Sequence, residues 1–149
     1  MKELTVTAIK EGTVIDHLPP EMTFKVIELL NISNTNKIVS IATNLKSSKK
    51  MKKGLIKVGG KFLTKEEVDK IAIIAPDATV NIIKNYEVIE KNKVSIPDFI
   101  TNIIKCSNPR CITNHDKIIT KFSVTKEDPL KVRCYYCERY MGKEDLELV

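Results

Sequence analysis

Aromatic residues are scarce in this 149-residue chain: tryptophan is absent, and phenylalanine and tyrosine together make up 5% of the sequence. Proteins that bind single-stranded nucleic acids use aromatic side chains as stacking platforms for bases. The scarcity therefore counts against that class. A net charge of +6 still leaves a basic nucleic-acid-binding protein as an alternative.

Long apolar runs and an export signal are also missing. No run approaches the roughly 20 apolar residues that a membrane-spanning helix needs. The N-terminus shows no charged segment followed by an apolar segment and a small-residue cleavage site. No residue stands out as a catalytic nucleophile, and there are two histidines in the chain. We therefore expect a protein of the reducing cytoplasm, where disulfides are disfavoured.

The four cysteines of the chain form two close pairs, Cys106 with Cys111 and Cys134 with Cys137. Four thiolates from two short loops suit the tetrahedral coordination of structural Zn²⁺, so the spacing predicts one zinc ion. With all four positions filled by cysteine, no coordination site remains for substrate, and the metal is expected to be structural. Two disulfides, or a redox-active C-x-x-C at Cys134, are the alternatives.

A change in composition near residue 95 predicts two domains, 1–95 and 96–149. The polar residues 90–93 lead into Ser95 and Pro97, and this stretch offers no apolar face to bury. The first part carries 16 lysines against 11 acidic residues, whereas the second is close to neutral. A neutral zinc domain counts further against nucleic-acid binding. The second part is also small enough for a metal to supply much of its folding free energy.

Apolar periodicity predicts the secondary structure of the first domain. One helix is predicted at residues 21–30, after Pro19 and Pro20, with Phe24, Ile27 and Leu30 on its buried face. A second helix begins at a Thr64–Glu67 capping box and ends before Pro76. The predicted strands are residues 4–9 continuing through 12–16, 38–42, 55–58, 78–83 and 86–89. This order predicts an α+β protein with a ferredoxin-like antiparallel sheet and two helices, followed by a small antiparallel-β zinc domain.

Polar residues in this domain indicate a site for a phosphorylated ligand. Six lysines lie between residues 46 and 57, although such a run is often only a solvated hairpin loop. Lys57 differs because it lies within a predicted strand. A carboxylate at Asp16 can accept from ribose hydroxyls, His17 can donate to phosphate, and Tyr86 can stack on a base. Each of these residues also has an ordinary structural role as its alternative, a helix cap or a packed side chain.

Several short motifs, taken together, resemble the regulatory chain of aspartate carbamoyltransferase over nearly the whole length of the sequence. Their order and spacing carry the resemblance. The motifs are Ala8-Ile9-Lys10, Gly12-Thr13-Val14-Ile15-Asp16-His17, Leu55-Ile56-Lys57, Ala75-Pro76, Ala78-Thr79-Val80-Asn81, Asn85-Tyr86-Glu87-Val88 and the two cysteine pairs, the second followed by Glu138.

The resemblance implies a non-catalytic chain that forms homodimers and controls pyrimidine biosynthesis. Its N-terminal domain is expected to bind CTP, ATP and, in some members, UTP. Its zinc domain is expected to dock on a separate catalytic chain. Carried over by motif, Ile9 and Tyr86 contact the base, Asp16 and Lys57 the ribose, and His17, Asn81, Val88 and Lys91 the phosphates, with Thr7, Val14, Lys53, Leu55 and Ile83 completing the pocket.

Overall fold

The computed structural model describes residues 8–32, 36–47 and 51–149. The chain divides into two compact units, Met1–Ser95 and Ile96–Val149. None of the helices in these described ranges has the length and apolar character needed to cross a membrane.

The described part of the N-terminal unit contains five strands and two α-helices. Its elements are β1 (Gly12–Leu18), α1 (Thr23–Leu30), β2 (Val39–Lys46), β3 (Lys52–Gly59), α2 (Lys65–Ile74), β4 (Thr79–Lys84) and β5 (Glu87–Lys93). The strands form one sheet in the order β2-β3-β1-β4-β5, and each neighbouring pair is antiparallel. The predicted ferredoxin-like α+β order is confirmed, with β5 as the extra strand.

The two faces of this sheet differ in character because side chains alternate along each strand. Thr13, Ile15, Ile56 and Val58 lie on one face and are almost completely buried. Gly54 lies on the same face, directly against the Thr23 side chain of α1, so this face packs on the helix. The opposite face, called here the outer face, carries Val14, Asp16, Lys57, Asn81 and Lys91 by register.

Helix α1 begins later than its sequence pattern predicts. A single 3-10 turn, Pro20–Met22, precedes it and uses Pro20 at a position where a missing N–H has no cost. The α-helix itself starts at Thr23 and buries Val26, Ile27 and Leu30. Phe24 was predicted to lie on the buried face, but it is 61% exposed, so that prediction is wrong.

Two further predictions about this unit need correction. Residues 90–93 were interpreted as the start of the polar stretch that marks the domain boundary, yet they form the second half of β5 and pair with β4. Every residue of β5 is exposed, which explains why the stretch lacks an apolar signature. Ala8 and Ile9 were predicted to lie in a strand, and they do not. The rest of that prediction, residues 4–7, lies outside the described residues.

The C-terminal unit is a small antiparallel sheet. Its strands are β6 (Phe99–Thr101), β7 (Lys121–Glu127), β8 (Leu130–Cys134) and β9 (Tyr140–Gly142), in the order β6-β7-β8-β9. Ile100, Phe122 and Val132 are fully buried and form its apolar core. Such a small core makes a metal centre an important part of this unit.

Candidate metal centre and ligand face

The four cysteines converge at one point of the C-terminal unit. Cys106 and Cys111 come from the loop before β7, Cys134 ends β8, and Cys137 lies in the turn that leads to β9. Their four Sγ atoms all lie within 4.8 Å of one another, with Cys106 and Cys137 at 3.6 Å and Cys111 and Cys134 at 3.8 Å. These separations suit a tetrahedron with metal–sulfur distances of about 2.3 Å. The residues present fit one metal ion.

Burial and mutual contact set the protonation of these thiols. Burial, together with the neighbouring thiols, raises the pKa of Cys106 and of Cys134. Burial also opposes ionisation of Cys137, but the backbone N–H of Arg139 and the side chain of Asn108 outweigh it and lower the pKa of Cys137 to about 7. A bound cation favours the thiolate form of all four ligands. The Thr113 hydroxyl donates to Cys111 Sγ at 3.2 Å, which orients that ligand.

Across the outer face of the N-terminal sheet, four predicted site residues form a row. Lys57 lies opposite Val14, Val14 lies opposite Asn81, and Asn81 lies opposite Lys91. Cross-strand partners have neighbouring side chains on one face. Asn81 is 8% exposed, and its Oδ1 has no hydrogen-bond partner. A buried amide oxygen without a partner is uncommon, and a hydrogen-bond donor on a ligand would satisfy it.

Asp16 and His17 lie at an irregularity in β1. The register with β3 shifts between Ile15 and Leu18, and His17 has a positive φ of 59°. Such bulges redirect side chains and occur next to functional sites. Lys53 Nζ lies 2.8 Å from Asp16 Oδ1 and 3.1 Å from Oδ2. His17 Nδ1 lies 3.2 Å from the Thr79 hydroxyl. The bulge thus collects a carboxylate, an ammonium and an imidazole on the outer face.

Tyr86 lies in the turn that joins β4 to β5. Asn85 and Tyr86 have φ values of 52° and 66°, as in the two-residue turns that favour asparagine. The Tyr86 backbone N–H donates to the Lys10 carbonyl at 2.9 Å, and its side chain is 66% exposed. This hydrogen bond ties the segment that carries Ile9 to the turn that carries Tyr86.

The structure also gives the positions of the residues that were predicted to complete the nucleotide pocket. Strand alternation and register place Lys53, Leu55, Ile83 and Val88 on the outer face. Thr7 lies outside the described residues.

The lysine run does not form a single patch. Lys53 and Lys57 share the outer face, whereas Lys46 and Lys52 are opposite one another and belong to the other face. Lys49 and Lys50 lie outside the described residues. Only part of the run can therefore serve one ligand on the outer face.

Two outer-face residues were missed from the sequence. Thr79 contacts His17, and Lys93 is its partner across β4 and β5. Each stands two positions from a predicted residue, Asn81 or Lys91, so strand alternation alone was the signal that identifies them.

The fold and the metal centre define an α+β protein with a separate four-cysteine metal-binding unit. The family model for the aspartate carbamoyltransferase regulatory chain, allosteric domain, matches residues 4–95, and that for its metal binding domain matches residues 98–147. The chain therefore belongs to the aspartate carbamoyltransferase regulatory chain family.

Relatives that match nearly the whole length of the chain support the same family assignment. The regulatory chain of Pyrococcus horikoshii is 55% identical over 148 residues, which are 98% of this chain and 97% of the relative. That of Pyrococcus abyssi is 53% identical with the same coverage. That of Parabacteroides distasonis is 43% identical over 145 residues, 97% of this chain and 94% of the relative. The protein is thus a regulatory chain of pyrimidine biosynthesis rather than an enzyme, and a nucleic-acid-binding function is not favoured.

Proposed function

We propose that residues 1–95 bind CTP and ATP, with UTP as a further effector, and that residues 96–149 pass the effect to a catalytic chain through a zinc-stabilised docking surface. The row formed by Lys57, Val14, Asn81 and Lys91 carries the proposal. Adjacent strands lie about 4.8 Å apart, so the row spans about 14 Å, comparable with an extended nucleotide. Its cations suit an anionic ligand, and the unpaired Asn81 Oδ1 suits a ligand that also carries a hydrogen-bond donor, such as a hydroxyl or amino group.

Each part of a nucleotide has a chemical counterpart on this face. Asp16 can accept from ribose hydroxyls, and Lys57 lies on the same face of the neighbouring strand, opposite Val14. His17, Asn81 and Lys91 can donate to phosphate oxygens, because each carries an N–H group. Ile9 and Tyr86 offer an apolar residue and an aromatic ring to a base.

Regulation requires that a nucleotide bind two states of the assembly with different affinities. CTP and ATP that share one site on the outer face then compete, and opposite effects follow if they favour different states. Asp16 and Lys53 form an ion pair within this site. A ligand hydroxyl that binds Asp16, or a phosphate that binds Lys53, must therefore compete with that ion pair.

Calorimetric titration with CTP and with ATP at physiological salt tests nucleotide binding. We expect saturable, mutually competitive binding that Lys57→Ala weakens about tenfold, the loss expected for one charge-assisted hydrogen bond. Lys52→Ala is the matched control, because Lys52 lies on the same strand but the other face. The proposal fails if the unaltered chain binds neither nucleotide, or if both variants lose affinity equally.

Four thiolate donors suit zinc among the divalent metals, and a closed site of this kind stabilises the surrounding loops. The loops around Asn108 and Glu138 flank the cluster and are the proposed contact with the catalytic chain. Mixing the zinc-loaded chain with the catalytic chain of the same organism should give a complex on size-exclusion chromatography. Addition of a chelator should dissociate this complex. A four-cysteine site also requires reduced thiols, in keeping with a cytoplasmic location.

We propose that the homodimer forms along β2. Of the two edges of the described sheet, β5 carries Val88 and Lys91 of the proposed nucleotide site, which leaves β2 for pairing. Ile41 on β2 is 41% exposed, and an unpaired edge offers free backbone groups to a second copy. Sedimentation should show monomers for Ile41→Asp and dimers for the control Ile89→Asp on β5. The reverse result would place the interface on β5.

A further inference from the structure

One side chain outside the metal cluster ties its first loop together. The amide of Asn114 places Nδ2 3.0 Å from the Cys106 carbonyl oxygen and 2.7 Å from the Asn108 carbonyl oxygen. An asparagine amide has two N–H donors on that nitrogen, so a single group can satisfy both carbonyls. The loop that begins at the first cysteine is thus held by one side chain through two hydrogen bonds, which together are called here the Asn114 clasp.

Asn108 is the centre of that loop. Its carbonyl also accepts from the Cys111 N–H at 3.0 Å, and its Oδ1 accepts from the Arg110 N–H at 3.0 Å. Its side chain also helps to lower the pKa of Cys137, a ligand from the other pair. The conformation of residues 106–111 therefore depends on Asn108, and Asn114 is the side chain that fixes the Asn108 carbonyl.

Asn114 itself is placed to influence the loop without ligating the metal. It ends the 3-10 turn Ile112–Asn114, and its backbone N–H donates to the Cys111 carbonyl at 2.9 Å. Its side chain is exposed and is not among the four clustered ligands. The loop it holds presents Pro109 and Arg110 to solvent.

We propose that Asn114 is a positioning residue for docking on the catalytic chain, because it holds the loop 106–111 in the shape that the partner binds. The inference rests on the proposed function, in which this loop contacts the catalytic chain. The metal fixes the two ends of the loop at Cys106 and Cys111, whereas Asn114 fixes its middle. Loss of this clasp lets Asn108 and Arg110 move while all four thiols stay in place.

The variant Asn114→Asp tests this directly in the zinc-loaded full chain, because it keeps the shape but replaces the donating NH₂ by an oxygen that repels both carbonyls. We expect one zinc per chain, as in the unaltered protein. We expect faster amide hydrogen exchange at Arg110 and Cys111, and roughly fivefold weaker binding to the catalytic chain, because the two lost hydrogen bonds affect docking only through the loop. Asn102→Asp, an equal charge change at an exposed residue of the same unit, should alter none of these.

Three results would overturn or relocate the inference. Unchanged docking by Asn114→Asp, with the unaltered chain docking normally, would show that the clasp does not matter. Loss of zinc from the variant would make Asn114 a residue of metal retention instead. If the unaltered zinc-loaded chain does not dock, the proposed function itself is wrong. If the aspartate variant does not fold, the same measurements of zinc content and docking are made on Asn114→Ala, which removes the donor without adding charge.

Discussion

At the scale of single residues, Asn81 combines burial with an unsatisfied amide oxygen. An unpaired polar atom that is shielded from water lowers stability, and such groups are kept where a ligand uses them. We expect Asn81→Leu, a near-isosteric apolar change, to leave the free energy of unfolding unchanged or raise it by about 1 kcal/mol. The same change should weaken CTP binding at least tenfold. Urea unfolding and calorimetric titration of the same samples measure both.

The control for this change is Asn92→Leu on β5, where the side chain is exposed and lies on the opposite face of the sheet. It should leave CTP affinity unaltered. A clear loss of stability in Asn81→Leu would show that the Asn81 amide supports the fold. Equal CTP affinity in the variant and the unaltered chain would remove Asn81 from the proposed site.

Individual site residues were predictable to different degrees. Cysteine spacing predicted the metal ligands because two close pairs of thiols suit one four-thiolate site, although the spacing alone left disulfides and a redox pair open. Asp16 and Lys57 could be proposed from their chemistry, but their convergence depends on strand register, which a single sequence does not display. The bulge at His17 was not predictable either, since a positive φ at a histidine arises from the pairing of β1 with both neighbours.

At the scale of elements, the start of α2 depends on the Thr64–Glu67 capping box. Burial alone raises the pKa of Glu67, but the Thr64 backbone N–H and the Lys61 ammonium outweigh it, so the pKa is lowered. The folded chain therefore holds this proton less tightly than the unfolded chain. The stabilisation is present above the ordinary glutamate pKa and is lost as the pH falls through the folded pKa.

We accordingly expect Glu67→Gln to destabilise the N-terminal unit by about 0.5 kcal/mol at pH 7, because glutamine can still accept in the box but lacks the charge. The difference should shrink as the pH falls below the ordinary glutamate pKa, and it should vanish once the carboxyl group is protonated in the folded chain as well. Glu66→Gln is the control: it removes an equal charge from the same helical turn, without the contacts to Thr64 and Lys61. Urea unfolding followed by helical circular dichroism measures both. A pH-independent difference would rule out the ionised carboxylate as its source.

Element types were more predictable than their limits. The capping box and Pro76 marked α2 because both are local signals. By contrast, the predicted strand that corresponds to β5 was too short. The second half of β5 buries neither face and is held by its pairing with β4, so it has no apolar pattern in the sequence. Phe24 was assigned to the core because the pattern begins at the prolines, whereas the α-helix begins after the 3-10 turn and rotates Phe24 outward.

At the scale of the whole molecule, the two units derive stability from different sources. The N-terminal unit buries Ile15, Ile56 and Val58 between its sheet and helices. The C-terminal unit, Ile96–Val149, has a small core and four clustered thiols. In units of this size, the binding free energy of a structural metal is largely folding free energy. Loss of the metal should therefore affect the two units unequally.

We expect a chelator to unfold the C-terminal unit of the intact chain while the N-terminal unit stays folded and keeps its affinity for CTP. Amide NMR spectra should lose dispersion for β6 to β9 alone, and calorimetric titration should give the same CTP affinity before and after chelation. Cys111→Ser, which removes one buried ligand, should reproduce the effect without a chelator. The control Ser107→Ala, an exposed change in the same loop, should retain the metal. If both units unfolded together, the metal would stabilise the chain as one cooperative unit, and the division of roles between sensing and docking would lose its structural basis.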